Sequence, residues 1–253
     1  MEDTHTRVEE TKIEGRNAVL EAFRSGKTID KLYVLDGCQD GPVRTIVREA
    51  RKHDTIINYV AKERLDQLSE TGKHQGVIAV SAAYEYAEVE DILAAAEAKG
   101  EAPFIIILDG IEDPHNLGAI IRTANQAGAH GVIIPKRRAV GLTPTVARTS
   151  AGAINYTPVA KVTNISNTMK ELKDKGMWFV CADMDGTRMY DLDLTGPIGL
   201  VIGNEGDGVS PLVKKNCDMV ASIPMKGDID SLNASVATGV LAYEIVRQRI
   251  NKG

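Results

Sequence analysis

The sequence lacks the features that mark a membrane or secreted protein. Its apolar stretches, such as residues 104–108 of 253, are far below the roughly 20 residues needed to cross a bilayer. The acidic start Met1-Glu2-Asp3 is not typical of a signal peptide. We therefore expect a cytoplasmic protein with no membrane partner.

Cysteine is scarce, and its three occurrences are widely separated. Cys38, Cys181 and Cys217 form no CxxC pair, so neither a disulfide framework nor a zinc site is predicted. The five histidines are dispersed, and His115, which adjoins a motif, is interpreted as a loop residue. The sequence predicts no metal cofactor.

A strong excess of positive charge is also missing, since the formal net charge is −5. The acidity is local. Residues 85–101 carry six acidic residues and one basic residue, whereas residues 102–253 carry 15 acidic and 16 basic residues. Because a nucleic acid binds to a local basic face, the overall charge does not exclude an RNA partner.

Alternating apolar segments predict an α/β protein with two folded parts. Residues 1–11 are polar and predict a flexible tail, and residues 12–84 predict a small α/β domain. Residues 85–101 form an acidic, alanine-rich connector, either a solvated helix between domains or the first helix of the next one. Residues 102–253 alternate apolar strands and helices up to a closing helix at 232–249, a pattern typical of a parallel sheet covered on both faces.

The first segment that can carry chemistry follows the predicted strand 104–108. Asn116 stands where a helix N-cap belongs. Apolar helix positions follow at Leu117, Ile120, Ile121 and Ala124. Arg122 lies among them in a helix with few charges, where a guanidinium needs a phosphate or carboxylate partner. The residues alone are compatible with a structural or a functional Arg122.

The second segment is a glycine loop. Gly203, Gly206 and Gly208 come directly after the predicted strand 198–202, where they let backbone approach a ligand closely. The GxxGxG spacing is neither the dinucleotide fingerprint nor a phosphate loop. The interpretation of the chain as a nucleotide-dependent oxidoreductase therefore loses its main support. The structural interpretation of these glycines is a tight strand-to-helix turn.

The third segment joins the last predicted strand to the closing helix. The strand stops at Pro224, and Ser231 or Asn233 can cap the helix. Small residues then allow close packing on that helix. They are Ala234, Ser235, Ala237, Thr238 and Gly239.

Together and in this order, the three segments resemble the signature motifs of the SpoU/TrmH methyltransferases, part of the SPOUT group. The resemblance spans most of residues 104–249. The catalytic positions that it implies are Asn116, Arg122, Glu205, Ser231 and Asn233. Residues 12–84 are similar to the ribosomal-protein-like substrate-binding domain of some members.

The resemblance implies a parallel sheet whose C-terminal part forms a deep trefoil knot. It also implies transfer of a methyl group from S-adenosylmethionine to an RNA ribose 2′-hydroxyl. The implied contacts of the donor are backbone at Gly203, Ile223 and Leu232, with Leu200, Met225 and Asn233 nearby. These loops carry no acidic clamp for the donor ribose.

Further expectations concern partners. Family members are homodimers that bury the closing helix and complete each site across the interface. The apolar face expected for this contact is Val236, Val240, Leu241 and Ile245, although packing within one chain would require the same pattern. RNA phosphate contacts are expected for Lys136, Arg138 and Arg148, with a solvated basic face as the alternative.

Arg122 is expected to hold an RNA phosphate and to stabilise the developing alkoxide, because a guanidinium hardly ever gives up its proton. Glu205 would orient Arg122, and Asn116 and Ser231 would position the hydroxyl. Within the family the similarity is to bacterial enzymes that methylate a guanosine of 23S rRNA in the peptidyl-transferase P loop. A tRNA substrate, or a nonenzymatic RNA-binding protein, is the alternative.

Overall fold

The computed structural model of the chain describes residues 12–82, 84–228 and 231–252. The tail predicted at residues 1–11 lies outside the described residues. Backbone contacts divide the chain into two compact units. One comprises the chain up to Glu85 with Gly141–Pro144, and the other comprises Tyr86–Val140 and the chain from Thr145 onward.

The first unit is a mixed four-stranded sheet with helices packed on it. Its elements are β1 (Lys12–Glu14), α1 (Arg16–Arg24), β2 (Ile29–Leu35), α2 (Gly41–Lys52), β3 (Ile56–Val60), α3 (Lys62–Leu68) and β4 (Val77–Ser81). The strand order is β1-β4-β2-β3, with β4 antiparallel to both of its neighbours and β2 parallel to β3. Val34, Ile46 and Val77 belong to its buried core.

The second unit holds a six-stranded sheet whose neighbouring strands are all parallel. Its elements are α4 (Val89–Lys99), β5 (Phe104–Asp109), α5 (Pro114–Gln126), β6 (Gly131–Pro135), α6 (Pro144–Thr149), β7 (Val159–Val162), α7 (Ile165–Asp174), β8 (Trp178–Arg188), β9 (Ile198–Gly203), α8 (Pro211–Lys215), β10 (Met219–Ser222) and α9 (Ala234–Lys252). The strand order β10-β8-β9-β5-β6-β7 confirms the predicted α/β class. The trefoil knot stays a prediction.

Burial explains why the central strand is apolar throughout. Residues 104–108 of β5 are at most 1% exposed, because helices cover both faces of a parallel sheet. Helix α4 resolves the alternative left open for the acidic segment. Ile92 is fully buried in the core of the second unit and Ala96 is also buried, so this helix packs on the second sheet.

Helix α5 begins earlier than predicted. Asp113 is its N-cap, accepting a hydrogen bond from the backbone nitrogen of His115, and Pro114 is its first residue. Proline suits that position because its missing N–H would be unpaired there in any case. The prediction that Asn116 caps this helix is therefore wrong. Asn116 lies inside the first turn, where its side chain is available for other contacts.

Strand β8 departs most from the prediction, which ended it at Ala182. Cys181 pairs with Val220, but the next pair along β10 is Thr187 with Ala221. Residues 182–186 therefore leave the ladder, and the chain rejoins β10 at Thr187. Such irregularities redirect side chains and are frequent beside functional sites.

No helix in the described ranges is long and apolar enough to cross a membrane.

Candidate active site

The candidate site lies at the carboxyl edge of the second sheet. Strands β5 and β9 are parallel neighbours, and Asp109 at the end of one is in register with Gly203 at the end of the other. The loops that follow these strands therefore leave the sheet side by side. Asp109 Oδ2 accepts a hydrogen bond from the backbone nitrogen of Ser210 at 2.8 Å, which ties the two loops together.

One polar residue from each of the three motifs meets at this edge. Glu205 Oε1 accepts hydrogen bonds from the side-chain amides of Asn116 and of Asn233, the latter at 2.9 Å. Asn233 Nδ2 also donates to Asn116 Oδ1 at 3.0 Å. Asn116 is only 6% exposed, and a buried amide requires such partners. The three side chains form a closed network, called here the Asn-Glu-Asn network.

Asn233 is fixed from both ends of its amide. Its Oδ1 caps helix α9 by accepting from the backbone nitrogens of Ser235, at 3.0 Å, and Val236, at 3.4 Å. Its Nδ2 belongs to the Asn-Glu-Asn network. Asn233, rather than Ser231, is thus the cap of the final helix, and the cap geometry positions a site residue. Ser231 is exposed and lines the adjacent pocket.

A pocket of about 270 Å³ opens beside the network. Residues from three segments line it: Ala182, Asp183 and Met184 after the first half of β8; Ile202 to Gly208 from the end of β9 and the loop that follows; and Ala221, Ile223, Met225, Ser231, Leu232, Ala234 and Ala237 from β10 to α9. We call it the glycine-loop pocket. Its lining combines glycine backbone and apolar side chains with five polar side chains, those of Asp183, Asn204, Glu205, Asp207 and Ser231.

Gly203 is required where the glycine loop folds back on itself. A Cβ atom at this position would lie 2.0 Å from the carbonyl carbon of Gly208 and 2.2 Å from the nitrogen of Val209. Asn204 Oδ1 holds the turn by accepting from the backbone nitrogens of Gly206 at 2.9 Å and Asp207 at 2.7 Å. The loop therefore presents backbone to the pocket at a place where no side chain fits.

Arg122 lies apart from this network. It is six residues after Asn116, which places the two side chains about 120° apart around the helix axis. Within the described ranges, no hydrogen bond or ion pair joins Arg122 to Glu205. The hypothesis that Glu205 orients Arg122 therefore has no support within one chain, because Glu205 is engaged by the two asparagines.

Arg122 instead lines a second cleft of about 390 Å³ between α5 and the turn after α6. The other lining residues are Asn125, Gln126, Ser150, Ala151, Gly152, Ala153, Asn155 and Tyr156. Tyr156 is 80% exposed. This cleft combines a guanidinium, amide side chains and an aromatic ring.

The basic residues expected to bind RNA lie after β6 and on α6. Lys136 is partly buried, and its backbone nitrogen donates to the carbonyl of Val162. Arg138 is exposed with a positive φ of 56°. Arg148 is exposed and donates to Thr145 Oγ1 at 3.3 Å.

Two family matches cover these two units. The family described as SpoU rRNA Methylase matches residues 103–243, and RNA 2′-O ribose methyltransferase substrate binding matches residues 12–87. The first match includes more than half of the chain and all three motifs. The chain belongs to the SpoU methylase family.

Curated SpoU relatives extend over nearly the whole chain. YacO of Bacillus subtilis, assigned to the TrmH family of tRNA/rRNA methyltransferases, is 50% identical over 236 residues, which are 93% of this chain and 94% of that protein. A TrmH family protein from Staphylococcus saprophyticus is 47% identical and covers 96% of this chain and 97% of its own length.

Solved SpoU structures show the same fold. AviRb from Streptomyces viridochromogenes, crystallised with the cofactor AdoMet, is 28% identical with a TM-score of 0.61, covering 99% of this chain and 95% of that one. The A. aeolicus TrmH/SpoU tRNA modifying enzyme is 32% identical with a TM-score of 0.55, covering 60% of this chain and 78% of that one.

The donor contacts implied by the SpoU resemblance fall into three groups. Gly203, Ile223, Met225 and Leu232 line the glycine-loop pocket. Asn233 lies beside it in the network. Leu200 is fully buried within β9 and is absent from the pocket lining.

Sequence reasoning missed the contribution of β8. Ala182, Asp183 and Met184 line the pocket, although no motif includes them. Their signal in the sequence is weak: Asp183 directly follows the apolar run 177–182, and Asp185 comes two residues later. Within the described ranges, no group of three or more His, Cys, Asp or Glu side chains is arranged to hold a metal ion.

Proposed function

We propose that this SpoU protein is an S-adenosylmethionine-dependent RNA 2′-O-ribose methyltransferase that modifies a guanosine of 23S rRNA. The Asn-Glu-Asn network carries the proposal. It brings one residue from each motif to the rim of a pocket that backbone lines. A scaffold protein without activity would have no need for a buried Asn116 held by Glu205 and Asn233.

The glycine-loop pocket fits the methyl donor. Gly203 lets the backbone of Gly208 pack against it where any Cβ would clash, which shapes the loop beside the pocket. The apolar side chains of Ile223, Met225 and Leu232 suit an adenine ring. AviRb, with the same fold, was crystallised with this cofactor. When bound, S-adenosylmethionine would supply an electrophilic methyl group and leave as a neutral thioether.

The chemical demand then falls on the ribose hydroxyl, which must lose its proton as it attacks. Asn116 and Ser231 position this hydroxyl beside the pocket. Arg122 holds an RNA phosphate and stabilises the negative charge that develops on the ribose oxygen. The proton leaves to a phosphate oxygen or to water, because the guanidinium stays charged.

A homodimer is part of the proposal. Arg122 points away from the network of its own chain, which suits a site completed by Arg122 of the partner subunit. Helix α9 exposes Val236, Tyr243 and Ile250, at seven-residue spacing, to 50%, 50% and 73%. The apolar face expected from the sequence needs correction, because Leu241 and Ile245 are buried within their own unit.

The N-terminal unit and the basic residues support an rRNA substrate. Residues 12–87 match a family named for substrate binding, and such a unit adds contacts that a large RNA can use. Lys136, Arg138 and Arg148 contact phosphates, so binding weakens as salt rises. tRNA is the second candidate, since the curated relatives are assigned to tRNA/rRNA methyltransferases.

The direct test incubates the purified protein with S-adenosylmethionine and either transcribed 23S rRNA or transcribed tRNA. Digestion and mass spectrometry then identify 2′-O-methylguanosine and its position. Methylation of one guanosine in 23S rRNA, absent when that nucleotide is 2′-deoxyguanosine, is expected. Methylation of tRNA alone would overturn the assignment of rRNA as the substrate. Failure to bind S-adenosylmethionine would overturn the proposal that the protein is a methyltransferase.

Arg122→Lys separates donor binding from chemistry. This variant keeps a positive charge but loses the planar fork that holds phosphate bidentately. We expect a rate loss of at least about a hundredfold, with unchanged affinity for S-adenosylmethionine by calorimetry. Near-normal turnover would contradict this role of Arg122.

A further inference from the structure

Asp183 occupies the wall of the glycine-loop pocket that none of the three motifs supplies. Residues 182–186 leave the ladder between β8 and β10, and Ala182, Asp183 and Met184 line the pocket from there. Asp183 thereby lines the same pocket as the glycine loop that follows β9, the strand next to β8. Two other carboxylates, Glu205 and Asp207, line the pocket from the glycine loop, but Glu205 is held by Asn116 and Asn233.

The departure from the ladder is a built feature of the fold. A Cβ atom on Gly186 would lie 2.6 Å from the backbone oxygen of Val220, so the return to the sheet requires glycine. Ser222 Oγ donates to the backbone oxygen of Gly186 at 2.9 Å, which fixes the point of return. Residues 182–186 are therefore fixed at both ends, by the pairing of Cys181 before them and by the contacts of Gly186. This restricts the position of Asp183.

The carboxylate of Asp183 is held in place and ionised. Lys214 Nζ on α8 lies 2.6 Å from Asp183 Oδ2, and the backbone nitrogen of Asp185 donates to Oδ1 at 3.1 Å. The hydrogen bond from Lys214 lowers the pKa of Asp183, and the same contact raises the pKa of Lys214. Each carboxylate oxygen can accept a further hydrogen bond.

We propose that Asp183 accepts hydrogen bonds from the 2′,3′-diol of the ribose of S-adenosylmethionine, with Lys214 as its positioning residue. The inference rests on the proposed function. Carboxylates bind the ribose hydroxyls of nucleotide cofactors at the carboxyl ends of parallel strands elsewhere. Asp183 would thus act as an acidic ribose clamp from outside the three motif loops.

The ion pair favours the diol over the donor's ammonium group. Lys214 Nζ lies beside the ionised Asp183, so a second cation there would be repelled by Lys214 as well as attracted by the carboxylate. A neutral hydroxyl can still donate to the remaining lone pairs of an acceptor whose charge strengthens the bond. The ammonium is therefore the competing ligand that the experiment must distinguish.

The test measures binding of the unreactive product S-adenosylhomocysteine by titration calorimetry to the full-length protein. We expect Asp183→Asn to weaken binding by about ten- to a hundredfold, the effect of losing a hydrogen bond to a charged group. Asp185→Asn is the matched control, because Asp185 is exposed in the same segment and does not line the pocket.

Ligand analogues identify the group that Asp183 contacts. 5′-Methylthioadenosine keeps the diol but lacks the ammonium. Asp183→Asn should therefore weaken the binding of methylthioadenosine by the same factor as the binding of S-adenosylhomocysteine. The 2′,3′-dideoxy analogue of S-adenosylhomocysteine should bind weakly to the wild-type protein and should lose nothing further in Asp183→Asn. Unchanged binding of methylthioadenosine to Asp183→Asn would overturn the diol contact in favour of the ammonium.

A second variant, Lys214→Met, tests the same contact in case Asp183→Asn does not fold. Lys214→Met should weaken the binding of S-adenosylhomocysteine less than Asp183→Asn does. A double variant with both substitutions should bind as weakly as Asp183→Asn alone. Lys173→Met is its control, because Lys173 forms an ion pair of the same 2.6 Å length with Asp218 away from the pocket lining.

The outcomes separate the inference from the function. Normal ligand binding by folded Asp183→Asn, or an equal loss in Asp185→Asn, overturns the clamp while the methyltransferase stands. Wild-type protein that binds no S-adenosylhomocysteine overturns the proposed function itself.

Discussion

At the scale of single residues, the glycine loop offers two positions that differ only in their surroundings. Gly203 has backbone 2.0 Å from the place of a Cβ, whereas the nearest atom at Gly206 is Asn204 Oδ1 at 3.5 Å. Backbone cannot move aside as a flexible side chain can. The two glycines therefore allow a test of whether backbone closeness forms the pocket.

Gly203→Ala should abolish measurable donor binding, because the added methyl forces the loop at Gly208 outward. Gly206→Ala makes only an ordinary contact and should bind the donor within about threefold of wild type, less than a kcal/mol. Calorimetric titration with S-adenosylmethionine compares the two. Equal affinities in both variants would contradict the assignment of this loop to the donor.

Glu14 gives the first unit a pH-dependent contact. Partial burial would raise the pKa of Glu14, but hydrogen bonds from Ser69, Thr71 and the backbone of Glu70 outweigh it and lower the pKa to about 2 from its ordinary 4.5. The folded state thus favours the ionised carboxylate. This stabilisation is complete above about pH 4.5 and is lost as the pH falls towards 2.

Glu14→Gln should destabilise the first unit by at most about 2 kcal/mol at neutral pH, because an amide cannot accept all of these hydrogen bonds. The difference from wild type should shrink as the pH falls below 4.5. Denaturant unfolding at several pH values measures it, with Glu21→Gln as an exposed control. A difference that grows in acid would refute the role of the charge.

At the scale of elements, α5 and α6 pack so closely at Gly118 that a side chain at this position would clash. A Cβ on Gly118 would lie 1.8 Å from Thr149 Oγ1 and 2.9 Å from the backbone oxygen of Val146. Thr149 Oγ1 also lies 3.3 Å from the carbonyl oxygen of Pro114, although its nearest acceptor is the carbonyl of Thr145 at 2.9 Å. Gly118 therefore holds α6 against the turn that carries Asn116.

Gly118→Ala should lower the free energy of unfolding by about 1–3 kcal/mol, the usual cost of overpacking. The expected shift of α6 should also slow methylation. Gly41→Ala, at the first residue of α2 with nothing within 4 Å, should leave stability almost unchanged. Thermal unfolding measures the midpoints of both variants. Equal midpoints would show that α6 shifts without loss of stability.

The sequence predicts the long elements well and the short ones poorly. Strand β5 is recognisable because its five apolar residues fit a sheet covered on both faces. Strand β7 and helices α6 and α8 have four to six residues each, too few for a period to emerge. Their formation depends on tertiary packing, such as the contact of Thr149 with α5.

The candidate site shows the same limit. Asn233 is predictable as a cap from local chemistry, but Asp113 and Asn116 both suit a cap, and Pro114 favours the earlier start. Asp183 could not be placed from the sequence, because its position depends on which residues of β10 pair with β8. Such pairing joins residues about 40 positions apart.

At the scale of the whole molecule, α9 has two faces with different tasks. Leu241 and Ile245 are buried against their own unit, whereas Val236, Tyr243 and Ile250 form an exposed apolar stripe. Exposed apolar stripes on a helix commonly mark contacts with another chain. In a homodimer the stripe would be buried, and Arg122 of the partner subunit could reach the Asn-Glu-Asn network.

Tyr243→Asp should therefore convert the protein to a monomer in sedimentation velocity, because a charge would be buried in the contact. Tyr59→Asp is the matched control, since Tyr59 is 51% exposed and lies in the first unit. The Tyr243→Asp monomer should still bind S-adenosylmethionine, whose pocket lies within one chain, yet should methylate RNA at least about a hundredfold more slowly. A monomer with full activity would show that one chain holds a complete site, and a persistent dimer would place the contact on another face.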